Sequence, residues 1–178
     1  MKPDKQFPVK RIGNEKNPKL VILLYNPGGN PNYYKMFPWY TMHLDKGRYK
    51  ESGMAFSDVR QYCEWWNDIL VATEEAGIKN SEILALEYYK YPTPTSDEIP
   101  KKEKWDSNAI MALEENKKIL RKFMDKKDVL IFGWFWKMWV EEVPGLNSCD
   151  NFKKSEQPRG RHPKIKELKE WLVKRRGE

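Results

Sequence analysis

Few residues in this chain are equipped for chemistry. There are two histidines, His43 and His162, and two cysteines, Cys63 and Cys149, 86 positions apart. Neither cysteine belongs to a CxxC pair, which excludes a four-ligand zinc site or an iron–sulfur cluster. No metal site and no cofactor motif emerges. His43 reads as an exposed loop residue. His162 stands in Arg161-His162-Pro163-Lys164, and the other unusual step is Asn26-Pro27-Gly28. Each has a bland reading on its own. Asn-Pro-Gly suits a turn that leads into a helix, and a histidine before a proline can simply be a surface residue. The carboxylate pairs Glu114-Glu115 and Glu141-Glu142 read as exposed helix faces, with nothing to aim them at a shared substrate. There is no GxxxxGK[ST] loop to cradle phosphates, and Gly28-Gly29 lacks a suitably spaced lysine.

Charge adds a second clue. The 178 residues carry a net charge of +7, but residues 1–19 account for +4 and residues 153–178 for +6, which leaves the middle at −3. Two basic ends brought together would form one positive face, the footprint of a polyanion partner such as DNA or a nucleotide. Two solvated tails would have the same composition. No apolar run approaches the roughly 18 residues of a membrane span, and the first residues lack a hydrophobic signal region. The expectation is a cytoplasmic, monomeric protein, one domain over residues 1–178, with no membrane association.

The elements that must position these residues follow from periodicity. Lys19 to Tyr25 is a continuous apolar run that reads as a buried strand. Residues 29–52 form a long aromatic-rich loop, and such loops are usually functional. Ser57 to Ala76 has helical spacing of Val59, Tyr62, Cys63, Trp66, Ile69, Leu70 and Thr73 and ends at Gly77. Ser81 to Tyr91 reads as a second strand. A helix over 108–124 follows, capped by Asp106 or Ser107, with a stripe of Ile110, Leu113, Ile119, Leu120 and Phe123. Residues 128–133 form a third strand and 134–142 a short helix, the span 150–161 has room for a last short strand, and 164–175 form a terminal helix. The aromatic run Trp134-Phe135-Trp136-Lys137-Met138-Trp139 fits helix-to-sheet packing or a base-stacking platform.

Alternating strands and helices predict an α/β fold, a three-layer α/β/α sandwich with a central, mostly parallel four-stranded sheet. Ligands of such sheets bind beyond the carboxyl ends of the strands. That rule gathers Asn26-Pro27-Gly28, the turn after Tyr89, Gly133-Trp134 and His162-Pro163 on one rim.

These residues resemble a known family. Val21-Ile-Leu-Leu-Tyr-Asn-Pro-Gly28 is similar to the first active-site motif of the uracil-DNA glycosylase superfamily, in the form typical of its mismatch-specific and single-strand-selective monofunctional branches. Arg161-His162-Pro163 before a terminal helix resembles the second motif, histidine-proline-serine. The likeness spans roughly residues 19 to 172. It implies a metal-free, cofactor-free hydrolase that cuts the N-glycosidic bond of a flipped base in DNA. Asn26 would position the attacking water, and His162 would donate a hydrogen bond to the departing base. Pro27, Gly28, Phe56 and Tyr89 would hold the base, with Tyr33, Tyr34, Phe37 and Trp39 competing with Phe56 as the stacking ring. Arg161 and Lys164 would contact phosphate. Two departures stand out. Tyr89 occupies the strand where the family carries a base-reading asparagine, and Lys164 follows His162-Pro163 where the family has serine. The alternative implied function is therefore a glycosylase-fold module that binds a base, nucleotide or nucleic acid without cutting it.

Overall fold

The computed structural model describes residues 11–25, 64–91, 98–157 and 161–177. The fold is α/β. Five strands, β1 (Arg11–Gly13), β2 (Leu20–Leu24), β3 (Ile83–Glu87), β4 (Leu130–Gly133) and β5 (Phe152–Lys154), form one mixed sheet in the order β1-β3-β2-β4-β5. β3, β2, β4 and β5 run parallel, whereas β1 pairs antiparallel with β3. The four-stranded expectation is thereby corrected to five. The extra edge strand has only three residues and lies in a basic, glycine-containing stretch, so it leaves no period-two pattern to read.

Four helices are described: α1 (Glu64–Glu75), α2 (Ser107–Met124), α3 (Trp136–Glu142) and α4 (Arg161–Arg176). Every residue of β2 and β3 is buried, as expected of parallel strands covered on both faces. Successive side chains alternate between two clusters. Leu20, Ile22 and Leu24 meet Trp66, Ile69 and Leu70 of α1 and Leu168 and Leu172 of α4. Val21 and Leu23 meet Leu113, Leu120 and Phe123 of α2 and Trp139 of α3. Full burial of each such side chain contributes about 1.5–3 kcal/mol.

Local chemistry sets the boundaries. The Asp106 side chain accepts from the Ala109 N–H at 2.8 Å and caps α2. Gly77, at φ 76°, takes the left-handed conformation just after α1. Gly133 closes β4 where space demands it: a Cβ there would lie 2.5 Å from Trp136 Cβ and 2.9 Å from the Phe152 ring. α4 begins at Arg161, so His162 and Pro163 lie inside its first turn and not ahead of it. Proline fits there because the first helical N–H groups have no intrahelical partner. In α2, Ile110 is exposed, contrary to the predicted stripe, and Ala109, Ala112 and Asn116 supply buried positions in addition to the leucines.

Candidate functional site

The parallel strands end on one rim. β2 leads into Tyr25, β3 into Tyr88 and Tyr89, β4 into Trp134 and Phe135, and β5 into Ser155. Backbone bonds hold these exits level. The N–H of Phe135 donates to Leu23 O at 3.1 Å, that of Tyr88 to Leu24 O at 3.2 Å and that of Tyr89 to Tyr25 O at 2.7 Å. Trp139 of α3 donates its indole N–H to Leu24 O at 2.8 Å, which satisfies the last carbonyl of β2.

An aromatic shelf follows from these exits. The Tyr25 ring lies 5.9 Å from Tyr88 and 6.1 Å from Phe135. Tyr88 contacts Trp105 and Trp139 edge-on. Phe135 keeps 38 % of its surface exposed, while Trp134 and Trp139 are buried on opposite faces of the sheet. The aromatic run therefore divides. Its tryptophans at 134 and 139 are packing residues, and Phe135 remains open at the rim.

The first turns of α4 are pinned to the same place. Lys164 is only 4 % exposed. Its Nζ donates to Trp134 O at 2.7 Å and lies 4.4 Å from the centre of the Phe135 ring. Burial holds its pKa below the usual lysine value. One turn on, Glu167 accepts from Ser155 Oγ and from the Glu156 N–H, both at 2.8 Å, and fastens α4 to the end of β5. His162, two residues before Lys164, is exposed.

A charged network lies on the α2/α3 side. Glu142 accepts from Tyr88 Oη at 3.2 Å, from Lys117 at 3.0 Å and from Lys102. Hydrogen bonds from the two lysines outweigh desolvation and hold its carboxyl below the usual range. Glu142 is thus a half-buried hub and not the freely exposed face read from the sequence. The Tyr88 hydroxyl is pushed well up by burial and by the adjacent Glu142 carboxylate.

Glu87 has no such company. It ends β3 and is 3 % exposed, and its Oε2 is buried without a hydrogen-bond partner. Desolvation raises its pKa well above the usual carboxylate value.

The expected site residues fall as follows. Asn26, Pro27, Gly28 and Phe56 lie outside the described residues, as do Tyr33, Tyr34, Phe37 and Trp39. The Arg161 backbone starts α4, and its side chain is likewise outside the description. Tyr89 is 3 % exposed, with its ring 4.7 Å from Trp105; burial and nearby Asp106 push its hydroxyl up to about 12. Lys164 points into the protein, in place of the solvent-facing position a phosphate contact would use. Phe135, from the aromatic run that fits packing or a base-stacking platform, and Glu87, which the sequence reading does not place at a site, also lie at this rim. A charged residue closing an otherwise apolar strand was the signal available for Glu87, since such residues are rarely fully buried without a pairing partner. Among the described residues, no group of three or more His, Cys, Asp or Glu side chains could hold a metal ion, and no helix is long and apolar enough to cross a membrane.

Comparison with models of known families, with curated proteins and with solved structures finds no match to this chain.

Proposed function

We propose that the protein is a cytoplasmic, uracil-DNA-glycosylase-like hydrolase that cuts the N-glycosidic bond of a flipped, damaged or modified base in DNA, on a glycosylase-type α/β/α sandwich. The observation that carries this reading is a meeting at Phe135. Tyr25, the residue before Asn26, lies 6.1 Å from that ring, and Lys164, two residues after His162, lies 4.4 Å from it. Segments separated by most of the chain therefore converge at the rim where an open α/β sheet binds ligands. In this reading the asparagine that follows Tyr25 in the sequence positions water, and the imidazole on the first turn of α4 acts on the same base. The exposed Phe135 ring suits base stacking, a contact worth about 1–3 kcal/mol.

In this mechanism the glycosidic bond lengthens, charge develops on the departing base, and His162 donates a hydrogen bond to it. Asn26 orients the water that captures the sugar cation. Basic residues toward both ends of the chain hold phosphates. The test is a screen of oligonucleotides carrying uracil, hypoxanthine, xanthine or oxidised pyrimidines, scored for abasic sites. His162→Ala is expected to lower the rate about 10²–10³-fold, the usual effect of removing one preorganised donor. Asn26→Ala should lower the rate far more than the DNA affinity, and equal losses would remove its water-positioning role. Affinity should fall steeply between about 50 and 200 mM salt; a flat response would exclude the nucleic-acid reading.

A non-cleaving base-binding module is the second reading. Tyr89 favours it, because its ring is packed on Trp105 and it lacks the paired donor and acceptor of an amide. Tight binding to a modified oligonucleotide with no abasic product would select this reading.

A further inference from the structure

The aromatic run over residues 134–139 supplies the core with only part of its side chains. Trp134, Met138 and Trp139 pack into the two apolar clusters of the sheet, whereas Phe135 and Trp136 belong to neither. Phe135 is exposed and Trp136 partly so. One large apolar side chain at a surface is ordinary. Two rings in succession at the exit of a strand need a reason. Close packing at the turn does not supply it. Gly133 is tight against the Trp136 Cβ, which any side chain but glycine would bring, and against the Phe152 ring, not against the indole.

The two rings lean toward different strands. Phe135 meets Tyr25, just beyond β2, at 6.1 Å. Trp136 turns toward β5, where its indole N–H donates to Ser155 O at 3.2 Å. Each ring has a lysine over it. Lys164 Nζ lies 4.4 Å from the centre of Phe135, and Lys154 Nζ lies 5.0 Å from the centre of Trp136. The two lysines differ in their other contacts. Lys164 is buried and donates to Trp134 O. Lys154 is partly exposed and has no acidic partner among the described residues, while its neighbour Lys153 pairs with Glu156 and Glu167. β5 is the last strand on that side of the sheet. A chain passing from Phe135 to Trp136 therefore runs by Lys154 and off the edge without crossing another strand.

We propose that Trp136 and Lys154 hold the nucleotide next to the one stacked on Phe135, the indole against its base and the ammonium against its phosphate. The inference rests on the reading of this rim as a nucleic-acid site and adds the form of the partner, a strand that is unpaired where it crosses the exits of β4 and β5. Consecutive rings each take a base face only when the bases are unstacked from one another and free of a complementary strand. Every base has such a face, so this position selects unpaired strand and not sequence.

The test measures affinity of the full chain for an oligothymidylate of about eight nucleotides, within the usual site size, for an oligomer of the same length without bases, and for a blunt, fully paired duplex. The oligothymidylate should bind at least about fivefold tighter than the baseless oligomer, the least that one stacked base contributes. Trp136→Leu should weaken oligothymidylate binding by at least about fivefold and leave the baseless oligomer and the duplex within about twofold. Trp136→Phe loses the same indole bond to Ser155 O but keeps a ring, and should stay within about threefold of the natural protein. Lys154→Gln should weaken oligothymidylate and baseless oligomer alike and reduce the salt slope by about one. Full oligothymidylate affinity in Trp136→Leu, an equal loss for all three ligands, or an equal loss in the Leu and Phe variants overturns the assignment. So does equal affinity of the natural protein for the oligomers with and without bases, or failure of the oligothymidylate to bind. Cleavage separates the two claims. A Trp136→Leu protein that cuts a modified single strand with the natural rate and KM overturns the role of Trp136 and leaves the hydrolase reading standing. Ring-dependent binding of the oligothymidylate with no abasic product from any modified oligonucleotide does the reverse.

Discussion

The two faces of the sheet treat buried charge in opposite ways. On the α2/α3 face, charges come in groups. Glu142 joins Lys102, Lys117 and Tyr88, and Lys117 also reaches Glu114 at 2.7 Å. Arg11 on β1 meets Glu115 and Asn116 of α2. On the α1/α4 face, Lys164 donates to a backbone carbonyl and Glu87 keeps an unpartnered oxygen. Partnered charges of the first kind hold elements together. Charges of the second kind add little to stability, because desolvation is offset incompletely.

The largest expected effect lies on the paired face. Trp139 is fully buried and donates to Leu24 O. Trp139→Ala should cost about 3–5 kcal/mol in chemical denaturation. A loss under about 1 kcal/mol would mean that α3 does not brace the end of β2.

Next comes Glu87, where the sign reverses. The unfolded carboxyl ionises near 4.5, whereas burial raises the folded value well above it. Between those two values the folded state holds the extra proton, so stability falls as pH rises from about 4.5 toward the folded pKa. The slope approaches 1.4 kcal/mol per pH unit for one proton. Glu87→Gln removes this dependence and should be more stable than the natural protein at pH 7, with the gap closing toward pH 4. Parallel stability curves across that range would show that Glu87 ionises normally.

Glu142 should respond in the opposite direction. Its folded pKa is lowered, so its contribution is present above about 4.5 and is lost as pH falls through the folded value. Glu142→Gln at pH 7 should cost about 1–2 kcal/mol, the usual scale of hydrogen bonds to charged groups, reduced here by partial exposure. An unchanged midpoint at both pH 7 and pH 3 would reduce the network to surface decoration.

The smallest stability effect is expected at Lys164. Lys164→Met keeps the methylene stem and loses the bond to Trp134 O, while relieving a desolvated ammonium. Stability should change by no more than about 1 kcal/mol. The first turn of α4 loses a tether, so any hydrolytic rate should fall more than affinity for the base. Loss of affinity alone would separate Lys164 from the placement of His162.

Much of the frame was legible in the sequence because burial on both faces writes long apolar runs. Residues 20–24 and 83–87 fall inside the predicted strands, and α2 and α3 start and end within two residues of expectation. β1 was not legible, since three residues carry too little pattern. The start of α4 was misjudged because Pro163 reads as a boundary when it is a first-turn residue. The site was legible only as a rim. The spacing of Asn26 and His162, together with the strand-end rule, points to one edge of the sheet, whereas only its place at the end of an apolar strand sets Glu87 apart and nothing local distinguishes Lys164 from a surface lysine.

Taken alone, the sequence determined the α/β class and the order of the longer strands and helices, because hydrophobic periodicity and chain direction are written locally. Tertiary structure decided which charges are paired and which are buried without a counter-charge. Desolvation depends on every element packed around a group, and for Glu87 and Lys164 those elements come from distant parts of the chain.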